Sequence, residues 1–226
     1  VHRRAAYDLA SGYRQGWALT PELRLNDATG GRLMSGNTMA TGQAPGPTLE
    51  TERLILRPPA MTDFEAWCAF SEDEEAARYI GGPMTPAQVW RSMMTIAGAW
   101  SMEGFSMFSV IEKESGRWIG RLGPWRPHGW PGTEVGWGII RDCWGRGYAT
   151  EGATAAMDFA FDQLGWDEVI HTIEPANANS QAVAQRLGSA VLRQAHLPVP
   201  MDVAVDGARR PASTSPPHAV GGNRCG

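Results

Sequence analysis

One stretch constrains this chain more than any other: Glu134-Val-Gly-Trp-Gly-Ile-Ile-Arg-Asp-Cys-Trp-Gly-Arg-Gly-Tyr-Ala-Thr-Glu151. Glu134 to Ile140 carry β-branched and aromatic residues, interrupted by Gly136 and Gly138 where a strand would bulge or be closely approached. Gly145 and Gly147 permit a turn whose amides point one way, and from Tyr148 the apolar spacing becomes helical. A helix start with free amides and the positive end of its dipole is suited to an anion such as a phosphate. The same two glycines also fit a plain strand-to-helix connection.

The wording of this segment narrows the choice. Trp144-Gly-Arg-Gly-Tyr-Ala-Thr-Glu151, preceded by Glu-Val-Gly-Trp, resembles the acetyl-CoA-binding segment of the GCN5-related N-acetyltransferases (GNAT). The branch it is most similar to includes the ribosomal-protein alanine acetyltransferases. Asp142 stands where that family usually has Gln or Arg, placing a negative charge beside the turn. A second patch, Glu174-Pro-Ala-Asn-Ala-Asn-Ser-Gln-Ala-Val-Ala-Gln-Arg-Leu-Gly188, resembles the family's strand-to-helix junction, with Asn177 and Ser180 at the matching places. Asn and Ser also start a helix by capping, and Gly188 suits its end. A third patch, Leu49-Glu-Thr-Glu-Arg-Leu-Ile-Leu-Arg-Pro58, resembles this branch's first strand, so the likeness runs from about Leu49 to about Leu197.

The resemblance implies an α/β fold with a mixed, mostly antiparallel central sheet, splayed at the cofactor and flanked by helices. It implies acetyl-CoA as acetyl donor, no metal, and an amine acceptor. Carried over residue by residue, the donor would meet Trp137, Ile139, Ile140, Arg141, Gly145, Arg146, Gly147, Tyr148, Ala149, Asn177 and Ser180. Amides around Gly145, Arg146 and Gly147 would take the pyrophosphate, and backbone near Trp137 to Ile139 would pair with the pantetheine arm. Arg141 and Arg146 either add charge there or are solvated surface arginines. Glu134 is the candidate general base, since a carboxylate in a cleft takes a raised pKa; the other reading is a strand-end glutamate in water. Some relatives use a tyrosine on the last helix as acid towards the thiolate. No tyrosine lies between Asn177 and Leu187, which leaves Ser180 or a water for that step. His171, mid-strand, reads as structural, His128 lies in a Trp-rich turn, and Cys143 lacks an obvious activating base nearby in sequence.

Composition sets the outer limits. At 226 residues the chain suits one domain with tails. A net charge of −4 gives no general reason to expect nucleic-acid binding, and no basic stripe with interleaved aromatics occurs. No run approaches the ~20 apolar residues of a membrane span, and no apolar segment follows the basic start to make a secretory signal. Cys68, Cys143 and Cys225 suggest neither a disulfide framework nor a zinc site, so the expected compartment is the cytoplasm. The expected assembly is a monomer or homodimer, without nucleic-acid or membrane partners.

Along the chain, residues 1–48 read as a flexible extension, 49–206 as the domain and 207–226 as a disordered, atypical tail. Met34 and Met39 are candidate translation starts. Thr62-Asp-Phe-Glu65 and Thr85-Pro-Ala-Gln88 are capping boxes opening helices. Phe105–Glu112 and Trp118–Leu122 form a hairpin, followed by a long turn from Gly123 to Gly132. Further strands are expected at Glu168–Ile173 and Ala190–Leu197, with a last one beginning near Met201–Asp206 and leaving an exposed edge. Trp90, Trp100, Trp125 and Trp130 either line an apolar acceptor pocket or belong to the core. The acceptor would be a protein N-terminus or a small-molecule amine. A second class of function is a non-catalytic acyl-CoA-binding protein that keeps the fold.

Overall fold

The computed structural model describes residues 42–198 and 202–210. They form an eight-stranded sheet ordered β1-β2-β3-β4-β5-β6-β8-β7. The strands are β1 Leu49–Glu50, β2 Leu54–Arg57, β3 Phe108–Glu112, β4 Trp118–Trp125, β5 Glu134–Ile139, β6 Glu168–Ile173, β7 Ala190–His196 and β8 Asp202–Arg209. The helices are α1 Phe64–Glu72, α2 Glu74–Ala77, α3 Pro86–Met102, α4 Tyr148–Asp162 and α5 Ala178–Arg186. Every pairing is antiparallel except β5 with β6, which run parallel and share one register pair, Glu134 with Ile170. Beyond that pair the two strands part.

The core fills both faces of the sheet. Over one face, α1 stacks Trp67 on Trp118 with centroids 5.8 Å apart, and Phe70 meets Trp118 edge-on. Over the other, α4 buries Ala153, Ala156, Met157 and Ala160, as its helical spacing predicts. Gly152 lets α4 come close, because a Cβ there would lie 2.5 Å from Leu122 Cδ2. Trp100 of α3 packs against Phe108 at 4.8 Å and donates its indole N–H to the Met107 carbonyl.

Four expectations need correction. The extension predicted over 1–48 is tied to the domain before it ends: outside the named strands, Gln43 bridges Ala60, and the Ala44 amide bonds the Pro59 carbonyl at 2.9 Å. Residues 1–41, with Met34 and Met39, lie outside the described residues. The cap before α1 is not a Thr62–Glu65 box. Asp63, 3% exposed, bonds the Ala60 amide, Ser109 and both terminal nitrogens of Arg57, so the buried charge is fully engaged. The Thr85 turn does close through Gln88, whose side-chain oxygen takes the Thr85 amide at 2.8 Å.

The long turn after β4 is shorter than expected, since Gly123, Pro124 and Trp125 pair with Gly136, Val135 and Glu134. Pro124 is tolerated there because β3 stops pairing at Phe108 with Leu122, so its missing N–H breaks no ladder. The fourth correction concerns the tail. β8 runs through Gly207, Ala208 and Arg209, and lies between β6 and β7, so β7 is the edge. Gly207 hid the strand pattern; it lies under Leu192, whose Cδ1 would be 2.6 Å from a Cβ there and would have to shift. Residues 211–226 lie outside the described residues.

Candidate functional site

The parting of β5 and β6 opens a cleft of about 460 Å³. Trp137, Gly138 and Ile139 of β5, Gly145 and Gly147 of the turn, and Tyr148, Ala149 and Thr150 of α4 line one side. Asn177, Asn179, Ser180, Ala182, Val183 and Arg186 line the other, and Glu75, Ala76, Tyr79 and Ile80 cover it. Of the residues expected from sequence, Ile140, Arg141 and Arg146 do not line this cleft, and neither does Glu134.

The glycine turn explains itself locally. Gly145 and Gly147 have φ of +74° and +83°, a region that L side chains avoid. Gly147 is the N-cap of α4, and the first helical bond is Glu151 N–H to the Gly147 carbonyl. The amides of Tyr148, Ala149 and Thr150 therefore precede any intrahelical acceptor and stand at the cleft. Positive charge comes from these amides and the helix dipole rather than from the turn's arginines. Arg141 is paired with Asp73 at 3.1 Å, and Arg146 lies 3.6 Å from the buried Glu112. Asp142 is answered by Arg117 at 2.9 Å, whose hydrogen bond chiefly lowers its pKa. Cys143 is 1% exposed, and burial pushes its thiol pKa up, so it is not an activated nucleophile.

The open edge of β5 has a particular hydrogen-bond pattern. Thr133 gives its carbonyl to the Ile170 amide, Val135 gives its carbonyl to His171, and Ile139 gives its carbonyl to the Trp144 indole at 2.7 Å. By the alternation of a strand, Trp137 is the intervening residue whose backbone faces the parting. Its indole donates to Ser180 Oγ at 3.3 Å, linking the two sides. Ser180 offers its amide to the Asn177 side chain at 3.1 Å, so Asn177 is a helix cap at the cleft wall. Tyr79 spans the mouth, its hydroxyl 3.4 Å from the Ala176 carbonyl.

Glu134 sits at the apex, 5% exposed, where the strands still pair. One carboxylate oxygen accepts from the Thr172 amide at 3.0 Å and hydroxyl at 2.8 Å; the other accepts from the Trp130 indole. Burial raises its pKa above the usual carboxylate value, opposed by these bonds and by the charge of Arg121. Arg121 is itself pushed down to about 10 by burial, and its Nε has no hydrogen-bond partner. His171, 1% exposed, donates Nδ1–H to Val135 and accepts at Nε2 from Ser189, and burial lowers its pKa to about 4. It is a neutral link between β5 and β7's approach.

The four tryptophans considered for an acceptor pocket do not converge. Trp100 is core, Trp125 is half-buried against it, Trp90 is half exposed, and Trp130 serves Glu134. Sequence reasoning missed Asn179, Val183 and Arg186, although with Ala182 they follow an i, i+3, i+4, i+7 spacing on α5 that marks one helix face. It also missed Tyr79 and Trp144, which only the fold brings to the cleft. Among the described residues, no group of His, Cys, Asp or Glu could hold a metal, and no helix is long and apolar enough to cross a membrane.

Comparison with known proteins agrees with this geometry. The family model of the acetyltransferase (GNAT) domain matches residues 53–190. The uncharacterized N-acetyltransferase p20 of Bacillus licheniformis is 32% identical over 136 residues, 59% of this chain and 76% of that protein. A solved acetyltransferase from Agrobacterium tumefaciens shares 34% identity with a TM-score of 0.67, covering 73% of this chain and 95% of its own. Mycobacterium smegmatis RimJ in complex with CoA-disulfide, at 20% identity, shares the fold with a TM-score of 0.53 over 69% of this chain and 81% of its own. With a strand parting, a glycine turn at a helix start and a family match across both, the chain belongs to the GNAT acetyltransferase family.

Proposed function

We propose that this protein binds acetyl-CoA between β5 and β6 and transfers its acetyl group directly to a primary amine, either a protein N-terminus or a small molecule. The observation carrying this reading is the single β5–β6 register pair, with the glycine turn at the open end and the buried Glu134 carboxylate at the apex. The cleft residues fit the donor. Amides at the start of α4 match a pyrophosphate, the unpaired Trp137 backbone matches an amide-bearing arm, and Arg186 places a guanidinium across from the turn. The bound thioester supplies an electrophilic carbonyl; the new N–C bond replaces the C–S bond, and the proton lost by the amine balances the one gained by the thiolate.

The chain's own part is proton handling and orientation. Glu134, with its pKa raised, takes the first proton from the incoming ammonium, directly or through water, and passes it to solvent, while the second, lost by nitrogen after attack, is the one that the thiolate gains. The Ser180 hydroxyl receives the Trp137 indole at its oxygen, which leaves its O–H to donate towards the departing sulfur. Tethering both partners at one apex removes the entropy of encounter. Thiol release measured with acetyl-CoA and a panel of amines tests the proposal, with acetylated products identified by mass. Turnover on a primary amine is expected. Tight acetyl-CoA binding with no turnover on any amine would instead identify a non-catalytic binder.

A further inference from the structure

The turn between β1 and β2 reaches the glycine turn from behind. Thr51 Oγ donates to Glu151 Oε1 at 2.6 Å, and the Arg53 amide donates to the same oxygen at 2.8 Å. Arg53 Nε and Nη2 engage Glu151 Oε2 at 2.7 and 2.6 Å. The remaining nitrogen, Nη1, donates to the backbone carbonyl of Arg146 at 2.9 Å. The guanidinium is also stacked over Tyr148, 4.5 Å from the ring centre, and the Tyr148 hydroxyl is fixed by Glu112 at 2.6 Å. A half-exposed ion pair of this kind adds little to stability, so so many bonds on one side chain call for another account.

That account lies in the peptide it grips. In a trans peptide the C=O and the following N–H point in opposite directions. Arg53 holds the Arg146 oxygen, so the Gly147 N–H is turned away from the guanidinium, and Gly147, Tyr148 and Ala149 line the cleft. Gly147, at φ +83°, brings no side chain of its own to hinder rotation of this peptide. The Glu151 carboxylate holds the guanidinium through Nε and Nη2, which leaves Nη1 to reach that carbonyl.

We propose that Arg53 is a positioning residue for anion recognition, fixing the Arg146–Gly147 peptide so that its amide is presented to the pyrophosphate of the donor. The inference rests on the acetyl-CoA reading above. Lysine cannot grip a carboxylate and a carbonyl in one rigid fork, so Arg53→Lys keeps the charge but frees the peptide.

The test compares Arg53→Met and Arg53→Lys with the unaltered protein, titrating CoA and then S-acetylpantetheine, which lacks the pyrophosphate, by ligand-observed NMR. Melting temperature on the same samples records the fold, and Arg53→Lys keeps the test open if Arg53→Met is unstable. Both variants are expected to lose about tenfold in CoA affinity, the effect of one misdirected charged hydrogen bond, with S-acetylpantetheine affinity unchanged. CoA affinity within twofold of the unaltered protein, or equal losses for both ligands, would overturn the inference. If the unaltered protein binds no CoA, the donor reading fails and takes this inference with it.

Discussion

On the β5 side of the cleft, the glycine turn is tied from behind by Arg53, Glu151, Tyr148 and Glu112, residues drawn from three separate parts of the chain. On the β6 side, α5 is attached by its own Asn177 cap and by the Trp137 indole that reaches Ser180. The first wall is set before any ligand arrives. The second is a short helix with Ala184 its buried residue, packed against α4 and β6. Pyrophosphate recognition by amides needs donors already aimed, because reorienting them would cost the interaction. An arm that inserts like an extra strand needs a wall that can settle onto it.

Glu134 lies where the two walls meet, and its replacement should have the largest effect. Glu134→Gln is expected to lower turnover about 10²–10⁴-fold while leaving acetyl-CoA affinity unchanged. The acidic limb of kcat/KM, set by a carboxylate whose pKa is raised, should vanish. The sign for stability follows: a raised folded pKa gives stability below the unfolded value that is lost as pH rises through the folded one. Gln therefore removes an ionised buried charge, and the variant's melting temperature at neutral pH should hold or rise. Activity retained with an unaltered pH profile would move the proton transfer elsewhere.

Breaking the fixed wall comes next. Gly147→Val puts a branched side chain at φ +83° and brings its Cβ 3.5 Å from Arg53 Nη2. Acetyl-CoA affinity, measured by calorimetry on folded protein, should drop about 100-fold. Unchanged affinity would remove the glycine turn from the site.

His171 roots the lighter wall, bonding β5 through Val135 and the start of β7 through Ser189. Its folded pKa of about 4 lies below its ordinary 6.5, so its contribution to stability is complete above pH 6.5 and declines as pH falls towards 4. In that window its loss should approach about 1.4 kcal/mol per pH unit. Denaturant unfolding against pH, with His171→Gln as reference, should show this slope disappear; identical slopes would refute it.

The smallest effect belongs to the α5 cap. Asn177→Ala should cost ~1 kcal/mol of stability. If Asn177 and Ser180 also hold the donor, kcat/KM should fall further than stability does, and Asn177→Ala with Ser180→Ala should be non-additive in rate. Stability loss with normal kinetics would leave them as caps and place recognition on the fixed wall alone.

Sequence carried the strand, the glycine turn and both flanking helices because each is a local pattern: φ-permissive glycines, a cap, an apolar period. Asn177 and Gly188 bound α5 where local chemistry puts them. What it could not carry was set by partners distant in the chain. Arg53 and Glu151 are 98 residues apart, in two patches that nothing in the sequence joins. Sequence leaves Arg146 as either a source of charge at the turn or a surface arginine and does not show Glu112 beside it, nor Arg117 beside Asp142. Pro124 and Gly207 read as breakers because the neighbours that make each suitable, the end of β3 and the leaning Leu192, belong to other strands.

The place of β8 bears on how the molecule is made. It pairs with β6 over six residue pairs, from Glu168 with Arg209 to Ile173 with Ala204, and reaches it only after α5 and β7 have been synthesised. A nascent chain ending near residue 198 already holds everything that shapes the glycine turn. Its β6, however, still has an open edge along most of its length, able to accept a strand from another chain. Translation thus completes the glycine turn and its ties first, and the parted side of the sheet only once β8 has been made.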